Sequence, residues 1–274
     1  MSTPKLPIDL NTAIAHGLRP DWFMRDRLGK APDIWQEQLL RSRSKQMIIN
    51  AGRQIGKSTV VAAAALHCCL YQPGALVLVI APSQRQSREL FIKIHDFLGR
   101  LEPAEKLEEE TKLSFVMANG SRAVVLPGDG RTIRGYSSPA LILMDEAAFI
   151  PDEVFDATLP MLAASSEGRI FLLSTPYTPA GFFYQIWHNA DGWERYEIPT
   201  AECPRVSKEW LEARRKEDPL RFDREYCCTF SNADAALFTP QMLDAMVAYD
   251  FEPFTPSHPS LGEDTATNAV SNPG

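Results

Sequence analysis

The chain has 274 residues, enough for one large domain or one domain with a small appendage. Apolar residues make up 45%, ordinary for a globular core, and no apolar run reaches the roughly 18 residues that a membrane helix needs. A net charge of −7 argues against a basic footprint over the whole surface and leaves only local patches for nucleic acid.

The opening "MSTPKLPIDL" has no basic stretch followed by an apolar one, so it is not a secretory signal, and a cytosolic setting is expected. Residues 1–33, rich in Pro, Gly and charge, read as a short helical or irregular arm. "DIWQEQLLRS" then reads as a helix and "QMIINA" as a short apolar strand. The run from Lys57 to Tyr71 is Ala-rich, helical and apolar on most sides. "ALVLVIAP" (75–82) is apolar without alternation, as in a strand covered on both faces. Ser83 is placed to cap the next helix, whose Leu90, Phe91, Ile94, Phe97 and Leu98 share one face. "KLSFVM" and "RAVVLP" flank Asn119–Gly120, a hairpin signal. The loop "GDGRTIRGYSSP" leads into "ALILMDEAAFI", then a helix over 152–164, the strand "RIFLLSTP", a helical piece around 181–190 and "WERYEIPT".

Strands thus alternate with helices over 46–200, which predicts an α/β fold: a mainly parallel sheet with helices on both faces. The core is set at 34–204. From 205 the pattern turns to charged helices, read as a small helical subdomain over 205–245. Residues 246–274, rich in Pro, Ser, Thr and Asn, are expected to be disordered. The five cysteines (Cys68, Cys69, Cys203, Cys227, Cys228) lack C-x-x-C spacing and read as free thiols. Three basic clusters stand out: Arg41, Arg43 and Lys45; Arg85 and Arg88; Arg214, Arg215 and Lys216. Such clusters are usually solvated faces.

Four stretches carry chemistry. "NAGRQIGKST" (50–59) approaches the phosphate-loop pattern G-x-x-x-x-G-K-[ST], but Ala51 holds the first glycine's slot and Gly52 follows one place late. A strand, a tight turn and a helix N-terminus gather backbone N–H groups around an anion. Residues Ala51, Gly52, Arg53, Gln54, Ile55, Gly56, Lys57, Ser58 and Thr59 form the candidate nucleotide site, with Lys57 for the β- and γ-phosphates and Ser58 for Mg²⁺. The apolar run ending in Asp145 and Glu146 has the Walker B pattern: Asp145 would hold Mg²⁺ and Glu146 would activate water. Ser174 and Thr175 end another apolar strand; they either sense the γ-phosphate or cap a turn before Pro176. Gln36, beside Trp35, carries an amide able to read adenine, although its residues alone favour an exposed helix position. A guanidinium at the transferring phosphoryl group raises rates by about 10³–10⁵. Arg53 lies in the loop itself, Arg134 in "RTIRGYSS", and Arg131 is a lesser competitor.

The ordered set "WQ…AGRQIGKST…IAPS…IRGYSSPALILMDEAAF…FLLSTP" resembles the ATPase half of the terminase large subunit of tailed bacteriophages, over most of residues 34–240. That family's loop is a variant form with Arg-Gln before x-Gly-Lys-Ser/Thr, so "GRQIGKS" fits it. The resemblance implies a P-loop NTPase, ATP as substrate with Mg²⁺, and Gln36 as the adenine reader. Arg53, Lys57 and Ser58 look like the loop's functional set, Asp145 and Glu146 like the Walker B pair, and Ser174 and Thr175 like the coupling motif. Arg134 is similar in position to an arginine that acts across subunits, leaving it a rival to Arg53. The helices after 205 resemble a lid. Implied partners are double-stranded DNA, a portal protein, a small terminase subunit and further copies in a ring on the procapsid, in the host cytoplasm.

Large terminases usually continue into a ribonuclease H-like nuclease. Here "SHPSLGEDTATNAVSNPG" carries Glu263 and Asp264 without strand pattern, so no nuclease site is expected in this chain. Two rival readings stand beside it: a superfamily 2-like helicase, which needs a second recombinase-like domain, and a silent assembly protein, against which Lys57, Ser58, Asp145 and Glu146 argue.

Overall fold

The computed structural model of the chain describes residues 9–101, 105–128, 133–165 and 167–231. The expected tail and Arg131 lie outside the described residues. Among the described residues eight strands form one sheet: β1 (Gln46–Ala51), β2 (Leu76–Ala81), β3 (Leu107–Glu110), β4 (Ser114–Met117), β5 (Arg122–Pro127), β6 (Leu141–Asp145), β7 (Arg169–Ser174) and β8 (Glu194–Ile198), in the order β3-β4-β5-β2-β6-β7-β1-β8. From β5 to β8 every neighbouring pair is parallel. β4 pairs antiparallel with β5 across the Asn119–Gly120 turn, where Gly120 takes φ +79°, a conformation only glycine adopts freely. The expected α/β architecture, built on a mainly parallel sheet, is therefore present.

Strand periodicity explains the two cores. Met47, Ile49, Val77, Val79, Leu143, Phe171 and Leu173 project to one face; Ile48, Leu78, Ile80, Ile142, Met144, Ile170 and Leu172 project to the other. Successive side chains of a strand point to opposite faces, so apolar residues at every position demand a cover on both sides. Helices α3 (Ile34–Arg41), α4 (Lys57–Tyr71) and α5 (Gln84–Leu98) cover the first face. Helices α6 (Asp152–Ala163) and α7 (Gly181–Asn189) cover the second. Two further helices, α8 (Lys208–Glu217) and α9 (Pro219–Tyr226), follow the last strand. No helix among the described residues is long and apolar enough to cross a membrane.

Two features differ from the sequence reading. β3 was not anticipated: its Glu108, Glu109 and Glu110 are exposed, and an edge strand bonded on one side needs no apolar pattern. The segment read as a helical or irregular arm is helical, in α1 (Leu10–Leu18) and α2 (Pro20–Asp26), but it packs into the core set at 34–204: Phe23, Met24 and Leu28 are fully buried in the same cluster as α4.

The N-terminal helices meet α4 at His67. Its Nε2 donates to the His16 carbonyl at 3.0 Å, while Phe23 packs edge-on at 5.5 Å and Tyr71 tilts against it at 4.8 Å. Burial holds this imidazole down to a pKa of about 4. The unfolded chain, titrating near 6.5, therefore binds a proton that the native state refuses, and stability falls as pH drops from 6.5 toward 4. We expect this group to cost on the order of 3 kcal/mol across that window. Urea unfolding of the His67→Gln variant should show a visibly flatter pH dependence than the parent chain.

Candidate active site

The sheet order brings the chemistry to one edge. β7 lies between β1 and β6, with Asn50 opposite Ser174 and Asp145 opposite Leu173. The ends of three strands therefore finish side by side at their carboxyl edge, where open α/β sheets bind ligands. A cleft of about 560 Å³ opens there, lined by residues 53–59 together with Gln86, Lys93, Glu146, Phe149 and Thr175.

The loop between β1 and α4 turns through two left-handed residues, Gln54 at φ 66° and Gly56 at φ 91°. The N–H of Gly52 donates to the Ile198 carbonyl at 2.9 Å and that of Arg53 to the Glu225 carbonyl at 2.8 Å. Among the described residues no backbone carbonyl takes the N–H groups of Gln54, Ile55, Gly56, Lys57 or Ser58. Five donors at a helix N-terminus form an anion site. Lys57, with its side chain only 6% exposed, points its Nζ at the carbonyls of Ala51 (3.3 Å) and Gly52 (3.1 Å) and lies 3.6 Å from Glu146 Oε1.

This geometry narrows the sequence-derived set. Ala51 is the fully buried last residue of β1, the side chain of Ile55 belongs to the core, and the N–H groups of Gly52 and Arg53 are already taken. These contacts leave the N–H donors of residues 54–58 for an anion. The displaced glycine is explained too. A Cβ on Gly52 would stand 2.2 Å from Thr200 Oγ1 and 2.9 Å from its N, so the loop needs glycine at 52, where β8's end presses on it.

The acids sit across the cleft. Ser58 Oγ donates to Asp145 Oδ2 at 2.8 Å, and Asp145 Oδ1 is buried without a partner among the described residues. Burial, reinforced by the neighbouring Glu146 charge, pushes the Asp145 carboxyl up to a pKa of about 6, against the pull of Ser58 and Lys57. A buried carboxylate oxygen with nothing to bond is what a hard divalent cation would complete. Mg²⁺ keeps several waters and takes ligands from phosphates, so one carboxylate and one hydroxyl suffice. No cluster of three or more His, Cys, Asp or Glu able to hold a metal occurs among the described residues.

Glu146 adopts φ 54°, a strained conformation for a residue with a Cβ. Its Oε2 accepts from Thr175 Oγ1 at 3.1 Å, and at longer range from Thr175 N (3.4 Å) and Ser174 Oγ (3.5 Å). Ser174 Oγ in turn accepts from Ala148 N at 3.1 Å. The pair ending β7 therefore touches the acid directly.

Gln36 is buried, contrary to the exposed position that its residues alone suited. Its Oε1 accepts from Asp33 N in a capping box at the start of α3, and its Nε2 faces the carbonyls of Gly56 (3.3 Å) and Ile55 (3.5 Å). It also lines a recess of about 360 Å³ beside the loop, with Thr59, Phe97 and Arg205. Arg53 borders the cleft and pairs with Glu225 Oε1 at 3.3 Å. Arg134 is not brought to this cleft: it lines a separate recess with Tyr136, Glu153 and Asp156.

Sequence reasoning missed several residues here. Gln86 and Lys93 stand seven positions apart on α5 and so share the face turned to the cleft, a spacing that could have found them. Thr200, Arg205 and Glu225, which hold the loop from outside, carried no local signal: Thr200 Oγ1 donates to the Arg53 carbonyl at 2.9 Å, and Arg205 donates to Asp33 and to the Ile55 carbonyl.

With this geometry established, comparison with known proteins identifies the lineage. Residues 48–244 match the sequence family described as terminase large subunit, T4likevirus-type, N-terminal. The chain belongs to this family. The terminase large subunit of Thermus virus P23-45 is 24% identical, in an alignment covering 86% of this chain and 56% of that protein. The chain thus spans about half the length of the curated relatives that it matches. Among solved structures, the large terminase ATPase domain of Thermus phage P74-26 superposes with a TM-score of 0.69 at 24% identity, covering 78% of this chain and all of that one. The large terminase of bacteriophage HK97 gives 0.66 at 15% identity, covering 78% of this chain and 55% of that one. At these identities the superpositions speak for the fold, which is that of terminase ATPase domains.

The loop packing sets a test. Gly52→Ala should lower stability by about 1–3 kcal/mol through overpacking against Thr200. Ala51→Gly, which restores the usual glycine, should also destabilise, by about 0.5–1 kcal/mol or more, because it empties a buried strand position. Urea unfolding midpoints of both variants check this.

Proposed function

We propose that the chain hydrolyses ATP and that this hydrolysis drives double-stranded DNA into a procapsid. The observation that carries the reading is the convergence of Lys57, Ser58, Asp145, Glu146 and Thr175 on one cleft at the carboxyl ends of β1, β6 and β7. The N–H groups of residues 54–58 receive the phosphates, and Lys57 adds a positive charge close to them. Gln36 supports the loop carbonyls and borders the recess that suits the adenine. Ser58 and Asp145 would hold Mg²⁺, which when bound neutralises charge on the transferring phosphoryl group.

Glu146 acts as general base. It takes a proton from water as the water oxygen attacks the γ-phosphorus, and the bond to the ADP oxygen breaks. Thr175 orients the carboxylate through Oε2, which leaves Oε1 toward Lys57 and the cleft. Loss of the γ-phosphate reaches the following segment through Ser174 and Thr175. Arg53, which borders the cleft, is the candidate catalytic arginine from within the subunit, and Arg134, in a separate recess, is its rival acting at a neighbour's site in a ring. Portal protein, small terminase subunit and DNA are the proposed partners, at the procapsid in the host cytoplasm.

Glu146→Gln should cut phosphate release by about 10²–10⁴-fold while nucleotide binding, followed by a fluorescent analogue, stays within a few-fold. Unchanged turnover would sink the assignment. In dilute protein, Arg53→Ala should reduce hydrolysis, by up to about 10³-fold if its guanidinium meets the transferring group, and Arg134→Ala should have no effect. Where specific activity climbs with protein concentration, Arg134→Ala should abolish the climb; a climb that persists removes Arg134 from the site.

A further inference from the structure

At the other end of the sheet, between α3 and β1, the chain runs Arg41-Ser42-Arg43-Ser44-Lys45. Ser42 is extended, at φ −61° and ψ 142°. Exposure alternates along the segment: Arg41, Arg43 and Lys45 face solvent and the two serines turn partly inward. Arg41 ends α3, Lys45 sits at a bend before β1, and Ser42 between them is extended. The serine side of this segment is bound to the sheet. Arg169, at the start of β7, donates its NH2 to the Ser42 carbonyl at 2.6 Å and its Nε to the Ser44 carbonyl at 3.0 Å. Ser42 Oγ donates to Glu194 of β8, and Ser44 N donates to Ser42 Oγ at 3.0 Å. The three cations therefore project from a backbone that is already fixed.

Three cations stand here against Glu37, one helical turn before Arg41, and Glu167 beside Lys45. Glu194 is turned toward Ser42 and Tyr196. Asp21 is held by Arg19. Glu167 lies 4.0 Å from Lys45, with both side chains largely exposed, where pairing is worth little. The other basic clusters are differently placed. Arg214 bonds Glu217 and lies over Trp210, and Arg215 lies over Phe222. Arg85 and Arg88 flank Gln86 at the nucleotide cleft.

We infer that the row Arg41, Arg43 and Lys45 is a contact surface for the phosphate backbone of double-stranded DNA, at the opposite end of the strands from the nucleotide cleft. The inference rests on the reading that this chain acts on DNA. The three cations lie within five consecutive residues, and a DNA strand carries one phosphate per about 3.4 Å of axis. Three exposed cations on an anchored backbone can reach neighbouring phosphates, and the contact would carry no sequence information. The serines between them add hydroxyl and backbone groups but no charge to oppose the approach.

The test is binding of a short labelled duplex across a salt series, using the full chain and its Arg41→Gln/Arg43→Gln/Lys45→Gln variant. Each lost phosphate contact should reduce the slope of log K against log salt by about 0.9, so the triple variant should lose up to about 2.7. Basal ATP hydrolysis should remain at the parent's level, and Arg214→Gln/Arg215→Gln should leave the slope unchanged. If the triple variant does not fold, each single substitution should still lower the slope by about 0.9. A triple-variant slope equal to the parent's overturns the surface and leaves the DNA reading standing. The same unchanged slope with weakened self-association in sedimentation assigns the row to a protein contact and overturns the proposal. A parent chain that binds no duplex at any salt removes the DNA reading and this surface together.

Discussion

The N–H groups of Gly52 and Arg53 point away from the nucleotide cleft, to the carbonyls of Ile198 and Glu225. Much of the site's geometry follows from those two hydrogen bonds. They dock the first half of the loop against β8 and α9, so only the second half turns its donors toward the cleft. They bring Thr200 so close to residue 52 that no Cβ fits there. With Gly52 filling that role, the preceding position is free to be an ordinary buried strand residue, which Ala51 is. The departure from the usual phosphate-loop pattern is thus a shift of the close-approach point by one residue, toward a contact outside the loop.

A second constraint is electrostatic. Two adjacent carboxylates end β6, one buried and one partly open to the cleft. Burial and like charge work against Asp145, and Ser58 with Lys57 only partly offset them. Glu146 is held differently, by Thr175 on one oxygen and Lys57 near the other. The two acids have the same backbone origin but unlike surroundings, and unlike surroundings allow one to serve a cation and the other a proton.

Much of this was legible before any coordinates. β2, β6 and β7 are apolar at consecutive positions, and that pattern has few solutions other than a strand covered on both faces. The Ser83 cap and the Asn119–Gly120 turn are local signals, and both formed as expected. Lys57, Ser58, Asp145, Glu146 and Thr175 could be picked out because each sits at the end of such a strand or at a helix start. What stayed hidden was non-local or polar. Glu108 to Glu110 form an edge strand whose pairing partner is set by the hairpin, not by its own residues. Burial of Gln36 depends on Ile55 and Gly56, some twenty residues away. Phe23 lies in a segment whose Pro, Gly and charges mask one short apolar patch, and only α4 shows where that patch goes.

One contact near the end of the described chain links two parts of the fold. Asn50, one residue before the phosphate loop begins to leave β1, donates its Nδ2 to the Cys228 carbonyl at 2.8 Å, and Cys228 Sγ returns a bond to the Asn50 carbonyl. Cys228 takes φ 61° to make this turn, and Ser231 N then bonds the Tyr177 carbonyl, two residues past Thr175. The chain therefore leaves α9 clipped to the strand that carries the phosphate loop and to the segment that follows the acid-sensing pair. In mechanical terms, residues 228–231 tie β1 to the segment that follows β7. A displacement of residues 228–231 would be felt first at β1 and just past the end of β7, the strands that carry the phosphate loop and the residues bonded to Glu146.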